Sequence, residues 1–125
     1  MTRTTFDHAA AATDFYRELD ANDPGVFERR LTEDAVFAFN DYDPVSGRDA
    51  IGKFVVDWKG NFASVTHEIV SLTTDSARGS VGLELIVSYK FTDGRIEKVK
   101  GSSFLDFDGD RISGYRVYVD TTRIS

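Results

Sequence analysis

The spacing of apolar and polar residues divides the chain into a helical first part and a second part made of strands. Four apolar side chains share one helix face through their three- and four-residue intervals: Ala12, Phe15, Tyr16 and Leu19. This stripe predicts a helix over residues 6–21. A polar turn follows, in which Asp23 is predicted to cap a second short helix that has Pro24 at its first position.

A short strand and a third helix are predicted next. The apolar residues of 35–40 form the strand, and a polar loop follows over residues 41–47. Asp49 is the predicted cap of the third helix. Its helical spacing comes from five apolar residues: Ile51, Phe54, Val55, Trp58 and Phe62.

The rest of the chain is rich in β-branched and aromatic residues. Four strands are predicted: Val65–Thr73, Ser80–Phe91, Ile96–Phe107 and Arg111–Val119. Asp-Gly pairs at 93–94 and 108–109 favour tight hairpins, so the strands should form an antiparallel meander. Helices packed on one face of such a sheet make a single α+β domain, which we expect to span residues 1–125.

Composition limits the classes of partner. The net charge is −6 and the isoelectric point is near 4.8, with no concentrated basic patch, so neither nucleic acid nor an anionic membrane surface is an expected partner. There is no cysteine, which excludes disulfides and thiolate chemistry. No apolar stretch reaches membrane-spanning length, and the expected location is the cytoplasm.

The last predicted strand separates its side chains into two unlike faces. Alternation places Tyr115, Val117 and Val119 on one face. The other face carries three polar side chains: Arg116, Tyr118 and Asp120. A polar set of this kind forms an internal network, a solvated edge or the floor of a pocket, because burial without partners is costly.

The order of elements, with several local motifs, resembles the SnoaL-like, or nuclear-transport-factor-2-like, superfamily. The resembling segments are Phe15-Tyr-Arg-Glu-Leu-Asp-Ala-Asn-Asp-Pro24, Leu31-Thr-Glu-Asp-Ala-Val-Phe37, Gly47-Arg-Asp-Ala-Ile-Gly-Lys-Phe54 and the final hairpin over 107–120. The resemblance implies a cone-shaped, curved antiparallel sheet with three N-terminal helices packed on its concave face. It also implies an apolar pocket and a homodimer through the outer sheet face.

The resemblance directs attention to Asp120, because SnoaL-type polyketide cyclases carry an acid/base aspartate at the end of the last strand. Aromatic surroundings would raise the pKa of such a carboxyl and suit it to proton transfer. Tyr118 would donate a hydrogen bond to the substrate oxygen, and Arg116 would set the charge of Asp120 or bind an acidic substrate. The alternative is that Asp120 pairs with an arginine and has a structural role.

Other catalytic positions of the superfamily are replaced in this chain. The histidine of the cyclases corresponds to Asp106, and three ketosteroid isomerase positions fall on Phe15, Phe39 and Ser103. The Arg-x-Asp pair of limonene-epoxide-hydrolase-like enzymes does not occur in the corresponding strand. No known catalytic set of the superfamily is therefore complete.

His67 is a further candidate, either as a general base or as a neutral histidine of the core. The residues predicted to bind substrate are Tyr16, Phe39, Asn40, Phe54, Trp58, Ser103 and Arg116. The aromatic members fit a helix core as well as a ligand site, and both interpretations are compatible with a cavity beneath the helices.

The sequence therefore predicts an internal hydrophobic pocket for a small, apolar molecule with a carbonyl or hydroxyl group. If the protein is an enzyme, we expect acid/base proton transfer, as in isomerisation, aldol-type cyclisation or hydration. The alternative is a non-enzymatic ligand-binding or assembly domain of the same fold. No cofactor and no metal site are predicted.

Overall fold

The computed structural model describes residues 6–124, so residues 1–5 and 125 of the predicted domain lie outside it. Three helices and six strands follow one another, with these bounds: α1 His8–Asp20, α2 Val26–Arg30, β1 Leu31–Phe39, β2 Val45–Ser46, α3 Arg48–Lys59, β3 Ser64–Asp75, β4 Ser80–Lys90, β5 Ile96–Asp108 and β6 Arg111–Val119. A 3-10 turn covers Thr121–Ile124. The predicted α+β class is confirmed.

The strands form one curved, unclosed sheet in the order β2-β1-β6-β5-β4-β3. The pairs from β3 to β6 are antiparallel, as expected for consecutive strands joined by tight turns. Gly94 and Gly109, the glycines of the two Asp-Gly turns, have φ of 93° and 63°, a region of the backbone map that favours glycine. The one departure from antiparallel order is β1, which pairs in parallel with β6.

The starts of α2 and α3 differ from those predicted, and α1, for which no cap was predicted, has one. Asp7 caps α1, since its carboxylate accepts a hydrogen bond from the Ala10 amide at 3.0 Å. Asp23 bonds the Gly25 amide at 2.9 Å, and α2 begins only at Val26, which leaves Pro24 outside the helix. The backbone turns sharply at Gly47, whose φ is 92°, so α3 begins before the predicted cap, Asp49.

Aromatic rings fix α1 and α3 against the buried face of the sheet. On α1, the Phe15 ring lies 5.3 Å from that of Tyr115 on β6. On α3, Phe54 and Trp58 lie 5.6 and 5.3 Å from the rings of Phe37 and Phe39 on β1. Phe15 is fully buried. Ring contacts of this kind contribute beyond the apolar area they bury, so both helices hold fixed positions over the sheet.

A charge cluster fixes the end of α1 against α2. The Glu18 carboxylate accepts hydrogen bonds from Arg29 Nε at 3.0 Å and from Arg30 Nε at 3.2 Å. The hydrogen bond from Arg30, together with Arg29, lowers the pKa of Glu18 to about 2. This cluster stabilises the last turn of α1, which carries Asp20.

Candidate active site

An inner cavity of about 50 Å³ lies between the helices and the buried face of the sheet. Its walls are mostly apolar and include three residues predicted to bind substrate: Phe39, Phe54 and Trp58. Four lining side chains can titrate: Lys59, His67, Tyr89 and Tyr115. Pockets for whole drug-sized ligands have volumes of about 300 Å³ or more, so this cavity is too small for a complete ligand of that size. It can hold the reactive end of a small molecule.

His67 on β3 is held by Asp20 at the end of α1. Asp20 Oδ1 lies 2.7 Å from His67 Nδ1, and Asp20 Oδ2 accepts a hydrogen bond from the His67 backbone amide at 2.7 Å. Both carboxylate oxygens therefore face donors, and the proton of the neutral imidazole is placed on Nδ1. Nε2 is then an acceptor, and within residues 6–124 no hydrogen-bond partner contacts it.

A chain of buried hydroxyl groups lies beside this pair. The Tyr16 hydroxyl donates to Ser103 Oγ at 2.7 Å and lies 3.4 Å from the Tyr115 hydroxyl. The Tyr16 ring also packs on the His67 ring at 4.9 Å. Burial raises the pKa of Tyr16 to about 12 and raises that of Tyr115 well above its usual value. Both phenols therefore keep their protons at neutral pH and can donate hydrogen bonds.

Tyr89 provides a third phenol. It lines the cavity from β4 and is only 2% exposed, yet its hydroxyl has no hydrogen-bond partner in the described part of the chain. Burial raises its pKa to about 12. The hydroxyl is therefore free to donate a hydrogen bond to a ligand oxygen in the cavity.

Lys59 closes the cavity on the side of α3. Its ammonium group donates to the Leu19 carbonyl at 2.7 Å, in the last turn of α1. Desolvation lowers the pKa of Lys59, while the negative charge of Asp20 opposes this shift. A cation at a helix C-terminus also interacts favourably with the helix dipole.

The polar face of β6 lies on the outside of the sheet, and the cavity is lined by Tyr115, Val117 and Val119 instead. Tyr118 is 45% exposed and packs against Phe104 at 6.1 Å between ring centroids. Arg116 forms an ion pair with Asp106, which lowers the pKa of that carboxyl.

Asp120 is exposed beyond the end of β6. Its carboxylate accepts hydrogen bonds from the Thr122 amide at 3.0 Å and from the Thr122 hydroxyl at 2.7 Å. These bonds lower its pKa, whereas the pocket position expected from the sequence would raise it. The carboxylate caps the 3-10 turn, and Asp120 is not among the residues that line the cavity.

Three further residues predicted to bind substrate, Tyr16, Asn40 and Ser103, are not among the residues that line the cavity. The Asn40 side chain donates to the Val119 carbonyl at 2.8 Å and accepts from the Val119 amide at 2.9 Å, so it continues the pairing of β1 with β6. Ser103 is fully buried behind Tyr16.

Four site residues escape the sequence reasoning: Asp20, Lys59, Tyr89 and Tyr115. One feature of the sequence could have indicated Asp20: it lies four residues after Tyr16 and therefore on the same helix face. The proximity of Asp20 to His67 depends on a contact between residues 47 positions apart, which helix periodicity does not reveal.

Solved structures share this fold. A protein assigned to the SnoaL-like polyketide cyclases of Jannaschia sp. CCS1 superposes with a TM-score of 0.84 over 99% of this chain and 94% of its own, at 13% identity. A polyketide cyclase candidate of Xanthomonas campestris superposes with a TM-score of 0.78 over 94% of this chain and 93% of its own, at 19% identity. An epoxide hydrolase of the limonene-epoxide-hydrolase-like type from M. tuberculosis superposes with a TM-score of 0.78 over 91% of this chain and 83% of its own, at 17% identity.

No curated protein sequence matches the chain. In the described part of the chain, no helix has the length and apolar character needed to cross a membrane. The family model of the SnoaL-like domain matches residues 12–115, which include most of α1, all of α2 and α3, most of the cavity lining and the Asp20–His67 pair. The chain therefore belongs to the SnoaL-like domain family.

Proposed function

We propose that the protein binds a small, largely apolar molecule through a carbonyl or hydroxyl oxygen and transfers a proton to or from it. The Asp20–His67 pair at the inner cavity carries this proposal. His67 Nε2 is the general base, and Asp20 fixes the tautomer that leaves this nitrogen free. His67 thus keeps the role of general base that the sequence suggested for it. It also replaces Asp120, for which the sequence suggested the acid/base role.

Two phenols are the proposed hydrogen-bond donors to the substrate oxygen. Tyr89 and Tyr115 line the same cavity as His67, and both remain protonated at neutral pH. Donors held in an apolar cavity stabilise the negative charge that develops on a carbonyl oxygen when the adjacent carbon loses a proton. They take the role predicted for Tyr118, whose ring lies on the outer face. The reaction class is enolisation, the step shared by isomerisation and aldol-type cyclisation.

Hydrogen–deuterium exchange tests this function without knowledge of the natural substrate. Cyclohexanone and 1-indanone in D₂O exchange their α-hydrogens by enolisation, and proton NMR follows the rate. We expect the protein to accelerate exchange above the buffer rate. Val117→Phe, which fills the cavity wall, should remove most of this acceleration, about tenfold or more, because it excludes the ketone from His67.

Val36→Phe is the matched control, because Val36 is exposed on the outer side of β1 and does not line the cavity. It should leave the exchange rate within about twofold of the wild type. A wild-type protein that exchanges neither ketone faster than buffer, or an unchanged rate in Val117→Phe, would contradict the proposal. Ketone binding without exchange would indicate the non-enzymatic binding domain.

We also propose a homodimer through the outer sheet face. Val70, Phe104 and Tyr118 expose apolar surface there, and a sheet face of this kind favours a partner. Glu84 and Lys100 lie in a shallow depression on neighbouring strands of the same face. In a two-fold dimer Glu84 of one copy can face Lys100 of the other.

Sedimentation at micromolar concentration tests the dimer. We expect the wild type to sediment as a dimer and Tyr118→Lys to sediment as a monomer, because a buried lysine opposes association. Val56→Lys, an exposed position of α3, should remain dimeric. A monomeric wild type would refute this interface. The cytoplasmic location expected from the sequence stays a prediction.

A further inference from the structure

A second, larger hollow adjoins the inner cavity. It is a groove of about 790 Å³ between α2, α3 and the beginning of β3. Its floor is apolar, with Val26 and Phe27 contributed by α2. This volume lies in the range that holds a complete small molecule, whereas the inner cavity holds only one end of such a molecule.

The boundary between the groove and the cavity is thin. Four residues line both spaces: Leu19, Val55, Lys59 and Val65. Only Lys59 among them has a charged side chain, and its hydrogen bond to the Leu19 carbonyl spans the boundary. A lysine side chain has four rotatable bonds, so this is the part of the wall that moves most easily.

The ammonium group of Lys59 has unused hydrogen-bonding capacity. It has three donors, and within residues 6–124 only the Leu19 carbonyl accepts from it. Asp20 is the nearby acid, but both of its oxygens are occupied by His67. A half-buried ammonium group with free donors is a favourable position for an anionic oxygen group.

The other charges of the groove support this assignment. Asp57 is paired with Lys53 at 2.7 Å, and Asp23 is paired with Arg29 at 2.6 Å. Glu28 and Asp49 are exposed at the rim, where solvent screens their charges. The half-buried cations Arg48 and Lys59 have no carboxylate partner in the described structure.

We propose that the groove and the inner cavity form one binding site for an apolar carboxylate. Lys59 binds the carboxylate at the boundary, and the apolar part that carries the reactive oxygen reaches His67. This inference rests on the proposed function for the position of the reactive end. It adds a substrate class, hydrophobic acids, and a specificity-determining residue, Lys59.

A pair of fluorescent probes tests the charge preference. The two probes, 8-anilino-1-naphthalenesulfonate and N-phenyl-1-naphthylamine, share a ring system and differ in the sulfonate. Quenching of Trp58, which lines the inner cavity and is the only tryptophan of the chain, reports binding at this site. We expect the wild type to bind the sulfonate about tenfold more tightly, at the low end of a charge-assisted hydrogen bond.

Variants of Lys59 assign this preference. Lys59→Gln and Lys59→Met should reduce the affinity ratio of the probes to about one, with the neutral probe bound within about twofold of the wild type. Lys59→Arg should keep the preference. Lys53→Gln is the matched control, because Lys53 lines the same groove but is paired with Asp57. An unchanged ratio in the Gln and Met variants would overturn the proposal, as would probe binding that leaves Trp58 unquenched.

The wild-type protein provides a test that needs no variant. Octanoate should displace N-phenyl-1-naphthylamine at a concentration about tenfold lower than 1-octanol does. Equal displacement would refute the carboxylate preference. The ketone exchange assay separates this inference from the proposed function. If the Lys59 variants lose the probe preference but the wild type does not catalyse ketone exchange, the carboxylate site is supported and the proposed reaction is not. If the wild type catalyses exchange but shows no preference for the sulfonate probe, the role of Lys59 is contradicted and the proposed reaction is not.

Discussion

Replacement of His67 by Gln, or of Asp20 by Asn, is expected to lower protein-catalysed ketone exchange by about 10²- to 10⁴-fold. Glutamine in place of His67 can still donate a hydrogen bond to Asp20, but it cannot accept a proton at neutral pH. The pocket therefore keeps its shape and loses its base. The rate measurement is the NMR exchange assay on cyclohexanone and 1-indanone.

The Asp20→Asn substitution is expected to change the tautomer of the His67 imidazole. Asp20 accepts two hydrogen bonds from His67, one from the ring and one from the backbone amide. Asn can accept only one of them and directs its NH₂ group at the other donor. If the NH₂ group faces the ring, Nδ1 must become the acceptor and the proton moves to Nε2, so the base is lost.

Two measurements separate this tautomer effect from unfolding. In Asp20→Asn, the ¹⁵N chemical shifts of the His67 ring should show Nε2 protonated and Nδ1 unprotonated, the reverse of the wild type. The unfolding transition in urea should stay cooperative. His8→Gln is the matched control, because His8 packs on Phe6 and Phe107 at ring distances of 4.9 and 5.1 Å and is not among the cavity residues. Full exchange activity in the His67→Gln variant would exclude His67 as the base.

Replacement of Gly101 by Ala is expected to lower the free energy of unfolding by ~2–3 kcal/mol. A methyl group at this position of β5 would lie 2.4 Å from Val119 Cγ2 and 3.2 Å from the Tyr118 carbonyl oxygen. Val119 is buried and lines the inner cavity, so its displacement narrows the space beside His67. Ketone exchange should fall along with stability.

Urea unfolding monitored by circular dichroism measures this loss. Gly82→Ala is the matched control on the neighbouring strand, because a methyl group there would lie 3.4 Å from the Phe104 ring, an ordinary contact. The double substitution of Gly101 and Val119 by Ala should recover part of the loss, since it removes the clash. If Gly101→Ala is as stable as Gly82→Ala, the close contact between β5 and β6 does not constrain the fold.

The helices and strands could be predicted because each depends on periodicity within a short stretch. The stripe that contains Tyr16 and the spacing of Phe54 and Trp58 placed the right faces of α1 and α3 toward the sheet. Alternation along β6 separated Tyr115 from Arg116 correctly. It gave no information on which face points inward, because a period of two treats the two faces alike.

The candidate site was less predictable because its members come together only in the tertiary structure. Asp106, 10 positions from Arg116 in sequence, neutralises that arginine on the outer face and makes the polar face of β6 compatible with solvent. Asp120 matches a family position by its place in the chain, but the turn at Thr122 uses its carboxylate. The position of β2, a strand of two residues, is likewise determined by pairing with β1 and not by its own composition.

The parallel pairing of β1 with β6 has a consequence for synthesis on the ribosome. β6 lies between β1 and β5 in the sheet, and Asn40 meets Val119 across a sequence separation of 79 residues. The first two-thirds of the nascent chain therefore has no neighbour for one side of β1, and the cavity wall formed by Tyr115, Val117 and Val119 is missing until β6 emerges. Contacts at this sequence separation form slowly, so folding of this domain is completed after most of the chain has been translated.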